Sequence, residues 1–422
     1  MTDQTAARRS ALYLLDQVLG EGKLLPECLS AGALDRLAPE DRARAQRLAL
    51  QTLRGLERAD RMAQRHLRKA PPLHVRNALR LGIVELSMGG AAHGVVGAMV
   101  TIIGGHKRHN KLKGLVNAVL RKVAPDAPEM WETLRAPHMP RWLRGPLRDA
   151  WGAEAVAGME RAQFSGAPLD LTLKQPDPAL AEMLGATVLP TGSLRVPAGT
   201  QVSALPGFDA GAWWVQDAAA ALPVVLLDPQ PGEQIADMCA APGGKTLQLA
   251  AAGARVTAID ASASRLARLH ANLDRTGLTA EVKTGDAREV EGPFDAVVLD
   301  APCSATGTIR RHPDLPHAKD GAEFPALFAL QAELLSAAWR ALKPGGRMVY
   351  CTCSLLPDEG EVQIDEALAR HPDMSVDRAA LERPVVDPAW ISSEGGLRLR
   401  PDYWADLGGM DGFYMAVLRK AL

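Results

Sequence analysis

Apolar positions recur at helical spacing through the first third of the chain and at strand spacing through its second half. From Thr5 to about Val123 they fall three and four residues apart, as in Ala11, Leu12, Leu15, Val18 and Leu19, in Leu48, Leu50, Leu53 and Leu56, and in Leu79, Ile83 and Leu86. The pattern predicts an all-α domain of about five to seven helices over residues 1–125. Pro125 to Pro146 interrupts it, so residues 126–146 read as a Pro-rich linker. Residues 147–210 mix a helix from Leu147 to Ala162, a strand from Leu169 to Leu173 and short Gly- and Pro-punctuated pieces up to Gly207, the makings of a small α/β subdomain.

From residue 211 to 422 short apolar runs alternate with helical segments. The strands expected are 234–239, 255–260, 280–286, 294–300 and 347–354, with helices near 246–252, 262–276 and 325–342 between them. Gly412 to Leu418 would add a late edge strand. Strands and helices alternating at this spacing predict a Rossmann-like, doubly wound α/β domain, in which ligands bind beyond the carboxyl ends of the strands.

Composition is that of an ordinary globular protein: 47% hydrophobic, 23% charged, net charge −1 over 422 residues. No run of eighteen apolar residues occurs and the first residues are polar, so neither a membrane span nor secretion is expected, and the cytoplasm is the expected location. Five cysteines without repeated spacing make neither a disulfide framework nor a zinc site; reactive thiols are the better reading, and no metal is expected. Charge is unevenly spread. Residues 1–125 hold 21 Lys and Arg against 10 Asp and Glu, a net of +11, which leaves −12 for the remainder. A basic first third is suited to a polyanion, although an Arg-rich solvated surface would look the same. Its most basic loop, His106 to Gly114, offers Lys107, Arg108, Lys111 and Lys113 to phosphates, with histidines expected to be exposed and to titrate freely.

The candidate chemistry sits at the predicted strand ends. Cys239-Ala240-Ala241-Pro242-Gly243-Gly244-Lys245 opens a helix after the first strand of the second half, where backbone amides can meet a polar group. Gly244-Lys245-Thr246 imitates the end of a P-loop, but Cys239 stands where that motif needs glycine. Asp260 closes the next strand, where a carboxylate can hold both ribose hydroxyls, and Asp286 falls where it would meet an adenine edge. A ribose, an adenine and no phosphate cradle describe S-adenosylmethionine better than NAD or ATP. Asp300, Cys303 and Cys353 follow at the last two strand ends.

With Asp300-Ala-Pro-Cys-Ser304, Thr352-Cys353-Ser354 and the Cys239–Lys245 loop together, the sequence resembles the RNA cytosine-C5 methyltransferases of the NOL1/NOP2/Sun family, and most of all their bacterial ribosomal branch. Ala305 stands where many members carry glycine, and Leu171-Thr-Leu-Lys174 departs from the family's usual strand ending. The first domain is similar to the antitermination factor NusB, including Gly114-Leu-Val-Asn-Ala-Val-Leu-Arg121. Cytosine C5 is too weak a nucleophile to take a sulfonium methyl unaided, so a thiolate must first add to C6. The resemblance implies that Cys353 is that nucleophile and that Cys303 assists release. Asp300 is left with two roles, at the methyl donor or at the cytosine amino edge. Cys351 is assigned to packing, and Arg310 and Arg311 either to phosphates beside the target base or to surface ion pairs. The expected substrate is 16S ribosomal RNA, free or in a small-subunit assembly intermediate, and the expected state is a monomer. A transfer RNA methyltransferase and a non-catalytic RNA-binding assembly factor are the alternatives.

Overall fold

The computed structural model describes residues 5–197 and 199–422 and divides the chain into two compact units. One runs to Gly166 and takes in Ile309–Asp320; the other comprises Ala167–Thr308 and Gly321–Leu422.

The first unit is helical. Its principal helices are Ala6–Glu21, Pro39–Arg54, Leu56–Gln64, Leu73–Ser87, Ala92–Gly104 and Lys113–Val123. Leu73–Ser87 is buried on nearly every side, as a central helix must be, and carries Leu79, Ile83 and Val84 into a core shared with Leu12, Leu15, Leu48, Met99 and Leu120. A helix wrapped so completely buries polar residues too, and Asn77, Arg80 and Glu85 each find a partner. Glu85 takes both Nε and Nη2 of Arg8 at 2.7 and 2.6 Å, and Arg80 grips Asp60 in the same bidentate way.

Two sequence expectations change here. Residues 126–146 are no linker, because Ala127–Thr133 is a helix whose Trp131 is buried, and a long helix, Arg141–Ser165, starts within them. The prolines that broke the pattern lie at or near helix starts: Pro128 in the first turn of one helix and Pro140 at the N-cap of the next, where a missing N–H costs nothing. Arg141–Ser165, kinked at Gly152, contains the helix Leu147 to Ala162 expected in the small α/β subdomain, and it belongs to the helical unit instead. Arg58 lies over the rings of Trp131 and Phe164, 5.4 and 4.1 Å from their centroids, which ties the extension to the core.

In the second unit the strands are β1 (Leu169–Leu173), β2 (Thr187–Val188), β3 (Leu194–Val196), β4 (Trp213–Val215), β5 (Gln234–Met238), β6 (Arg255–Asp260), β7 (Glu281–Thr284), β8 (Phe294–Asp300), β9 (Leu342–Thr352), β10 (Met374–Val376), β11 (Leu397–Leu399) and β12 (Phe413–Lys420). The first four form an antiparallel sheet, ordered β2-β3-β1-β4, around Leu171, Leu194 and Trp213 and a buried Asp170–Arg195 ion pair. The main sheet runs β10-β12-β9-β8-β5-β6-β7, parallel from β9 to β7, with β11 on β12. Alternate residues serve its two faces: Ile235, Ala296, Val298 and Val349 on one, Ala236, Val297, Leu299 and Met348 on the other. β12 is not the edge expected of it, since β10 pairs along its outer side. The Rossmann-like sheet therefore continues antiparallel past β9. Among the described residues no helix is long and apolar enough to cross a membrane.

Candidate active site

Sheet order decides what meets what. Along β7-β6-β5-β8-β9 the carboxyl ends present Asp286, Asp260, the Cys239–Lys245 loop, Asp300 with Cys303, and Cys353, in that sequence. Residues scattered over more than a hundred positions thus form one row.

The loop is shaped by backbone conformations that side chains disfavour. Cys239 has φ 63° and Gly243 φ 108°, and a Cβ on Gly243 would come 2.4 Å from Leu269 Cδ1, so glycine is required there. Asp260 is 3% exposed and holds the loop from the neighbouring strand, Oδ2 accepting from Ala241 N at 3.1 Å and Oδ1 from Ser262 N at 2.9 Å. Burial, with Asp300 and Asp260 nearby, pushes the Cys239 thiol up to about 12. Asp286 lies beyond β7, its carboxylate gripped by Arg288 at 2.6–3.1 Å and its pKa lowered by those bonds.

Lys245 excludes the P-loop reading. Its ammonium is buried, 2.8 Å from Asp300 Oδ2 and over the Phe413 ring, so it is committed to a carboxylate rather than presented to phosphates. Burial alone would lower its pKa, yet Asp300, with Cys351 and Asp237, more than offsets that and holds it protonated. The acceptor-only carboxylates at β6 and β7 and the glycine loop after the adjacent β5 fit the hydroxyl and amino donors of S-adenosylmethionine.

At the far end of the row β8 and β9 run parallel with Asp300 opposite Cys351. β9 ends at Thr352, one residue short of Cys353, and the loop after β8 brings Cys303 Sγ to 3.5 Å from Cys353 Sγ. Ala301 N and Gly307 N donate to the carbonyls of Cys351 and Cys353, both at 2.9 Å, stitching the two motifs together. Ala305 has φ 57°, in the left-handed region that glycine adopts more readily than alanine. The hydrogen bond with Cys353, then burial, raise the Cys303 pKa well above the ordinary thiol value, so Cys303 keeps its proton at neutral pH, and the two sulfurs share a hydrogen bond. Cys351, fully buried, is more than packing: its Sγ donates to Asp300 Oδ1 at 3.6 Å.

Other sequence candidates divide. Lys107, Arg108, Lys111 and Lys113 are all exposed, between the helices Ala92–Gly104 and Lys113–Val123. Beside them His106 is not free, because its ring packs tilted against His74 at 4.4 Å and stacks on His109 at 4.6 Å, and burial, then His74 and His109, lower its pKa. Arg310 is 0% exposed and sits in the segment Ile309–Asp320 that belongs to the helical unit, where Arg54 Nη2 donates to its carbonyl at 2.9 Å. Enclosure removes its guanidinium from any surface phosphate; Arg311 is half-buried. Sequence reasoning missed Asp237, Glu359 and Gln331, all fully buried polar groups within the site's framework. An alternating strand pattern marks Asp237 as inward, but nothing local marks the other two.

A doubly wound sheet carrying this row of groups defines an S-adenosylmethionine-dependent methyltransferase, here joined to a helical unit. Residues 224–419 match the 16S rRNA methyltransferase RsmB/F family and residues 5–125 the NusB family. Ribosomal RNA small subunit methyltransferase B of Vibrio cholerae is 37% identical over 98% of this chain and 97% of its own, and that of Pseudomonas putida 36% over 100% and 99%. Among solved structures, PH0851 superposes with a TM-score of 0.74 at 22% identity, covering 98% of this chain and 99% of its own, a likeness of fold. The chain belongs to the ribosomal RNA small subunit methyltransferase B family, and its substrate class is RNA.

Proposed function

We propose that this enzyme methylates C5 of a cytosine in 16S ribosomal RNA through a covalent adduct between Cys353 and C6. The observation that carries the reading is the pair of thiols 3.5 Å apart at neighbouring strand ends, beside the Asp300 end of the cofactor row. S-adenosylmethionine would supply the methyl group as an electrophile, its methyl–sulfur bond breaking as the sulfonium leaves as the neutral thioether. Cys353, as thiolate, adds to C6, and the C5–C6 π electrons become available at C5, which takes the methyl carbon. The largest cause holding the proton on Cys303 is its bond with Cys353. Once Cys353 is a neutral thioether only burial and the nearby Glu359 still hold that proton, and a Cys303 that has given it up to solvent can, as thiolate, accept the proton at C5. The electrons of the C5–H bond restore the double bond and expel Cys353 as thiolate, which again receives a hydrogen bond from Cys303–H. One proton is released per methyl transferred, and both sulfurs return to their starting state.

Asp260 and Asp286 hold the ribose and adenine in this reading, and the exposed Lys107, Arg108, Lys111 and Lys113 meet RNA phosphates. The names carried by the relatives support small-subunit ribosomal RNA as the substrate, with the enzyme a cytoplasmic monomer. The test separates the thiols. Cys353→Ala should neither methylate nor attach to RNA, whereas Cys303→Ala should methylate once and stay attached, giving a ribonuclease-sensitive retarded band in a denaturing gel. Full turnover in both single variants would sink the mechanism, and bisulfite sequencing of RNA from a deletion strain would reveal a transfer RNA target.

A further inference from the structure

Glu359 is a buried carboxylate that the reaction above does not use. It is 0% exposed, and the donors holding its side chain are all uncharged: Ser304 N at 2.8 Å and Gln331 Nε2 at 3.0 Å on Oε1, and Ser304 Oγ on Oε2. Its carbonyl is engaged as well, accepting from Tyr350 Oη at 3.0 Å and Thr352 Oγ1 at 2.9 Å. The carboxylate therefore grips the residue after Cys303, while the carbonyl grips the end of β9, one residue before Cys353.

Burying a carboxylate costs several kcal/mol unless its lone pairs are filled, so a fully enclosed one marks a place where geometry is enforced. What is enforced here is the loop Ala301–Thr308. Gln331 reinforces it from the helix Phe324–Ala341, donating also to Pro302 O at 2.8 Å. Ser304 Oγ lies 3.2 Å from Ser354 Oγ, and Thr306 Oγ1 accepts from Leu355 N at 2.9 Å, so hydroxyls on both sides of the thiol pair close the network. We propose that Glu359 is a positioning residue for catalysis: by bridging the two cysteine motifs it holds Cys303 within reach of Cys353 and of the adduct that Cys353 forms. This rests on the role given to Cys303 above.

The variants are Glu359→Ala, which removes the acceptor shared by Ser304 N, Ser304 Oγ and Gln331 Nε2, and Glu359→Gln, which keeps an acceptor for Ser304 N and Gln331 while its amide donates to Ser304 Oγ. Ser304→Ala removes one donor with little threat to folding. A shift of ~1 Å in a reacting group costs on the order of 10²-fold in turnover. Glu359→Ala should show a loss of that size in kcat with unchanged cofactor affinity, and should accumulate RNA-attached protein as Cys303→Ala does. Glu359→Gln should recover most of the turnover, and Ser304→Ala should fall between. A readout independent of the reaction is diamide oxidation, in which loss of two hydrogens by mass spectrometry reports closure of Cys303 onto Cys353. Closure should be slower in Glu359→Ala than in wild type. Wild-type closure rates and turnover in Glu359→Ala and Ser304→Ala would overturn the proposal. Failure of Cys303→Ala to trap RNA would instead overturn the reading it rests on, leaving diamide closure to decide the role of Glu359.

Discussion

Asp237 offers a measurable consequence of how the cofactor loop is built. It lies on β5 two residues before Cys239, is 0% exposed, and has one oxygen, Oδ1, with no hydrogen-bond partner; the other accepts from Thr246 Oγ1 at 2.5 Å. Burial dominates its titration and raises its pKa from 3.8 to about 7, with Asp300 and Asp260 adding to the rise. A rise of about three pH units corresponds to about 4 kcal/mol between the two protonation states. The sign follows from linkage. The folded protein holds a proton at pH 4–7 that the unfolded chain has released, so this group's contribution to stability is complete below pH 3.8 and lost as pH climbs through about 7. Asp237→Asn keeps the shape of the neutral acid and cannot ionise. Its stability should match wild type near pH 4 and exceed it by about 4 kcal/mol at pH 8. Denaturant unfolding of both proteins at each pH gives this directly, since titrations common to both cancel in the difference. Parallel stability curves from pH 4 to 8 would refute a proton on Asp237 and the buried, unfilled oxygen from which it is derived.

Three further outcomes are expected. Asp260→Ala should weaken S-adenosylmethionine binding by about 1.5–3 kcal/mol through loss of a charged hydrogen-bonding group, read by calorimetry; unchanged affinity would remove Asp260 from the cofactor site. Replacing Lys107, Arg108, Lys111 and Lys113 by Ala should flatten the salt dependence of RNA binding by a slope of roughly 3–4, at ~0.7–0.9 per phosphate contact. Point substitutions suit this better than removal of residues 1–125, which would strip Ile309–Asp320 of its packing, including the bond from Leu25 N to Asp314 at 2.8 Å; equal slopes would place the RNA elsewhere. Gly307→Ala would bring a Cβ to 1.9 Å from Gly412 O and 2.9 Å from Cys353 O, so turnover should collapse while cofactor affinity persists, and an active variant would show that the loop tolerates displacement.

Periodicity alone was enough to separate a helical first third from an alternating α/β second half, because one-sided burial writes its repeat directly into the chain. Strand-end motifs were legible for a related reason. In a doubly wound sheet, function collects where strands stop, and Asp260, Asp300, Cys303 and Cys353 all fall at such stops. Prolines misled, since Pro128 and Pro140 start helices as readily as they end them, and only packing of Trp131 and Arg58 against the core distinguishes the two. The tertiary structure decided everything that depends on sheet order and burial. It inserted β12 between β9 and β10, which no local pattern encodes because strand partners are chosen by long-range pairing. It enclosed Arg310 in the helical unit, committed Lys245 to Asp300, and set Glu359 across the two cysteine motifs. A charge read from sequence is free until the fold supplies its partner, and these partners lie 55 residues or more along the chain from Lys245 to Asp300 and from Ser304 to Glu359.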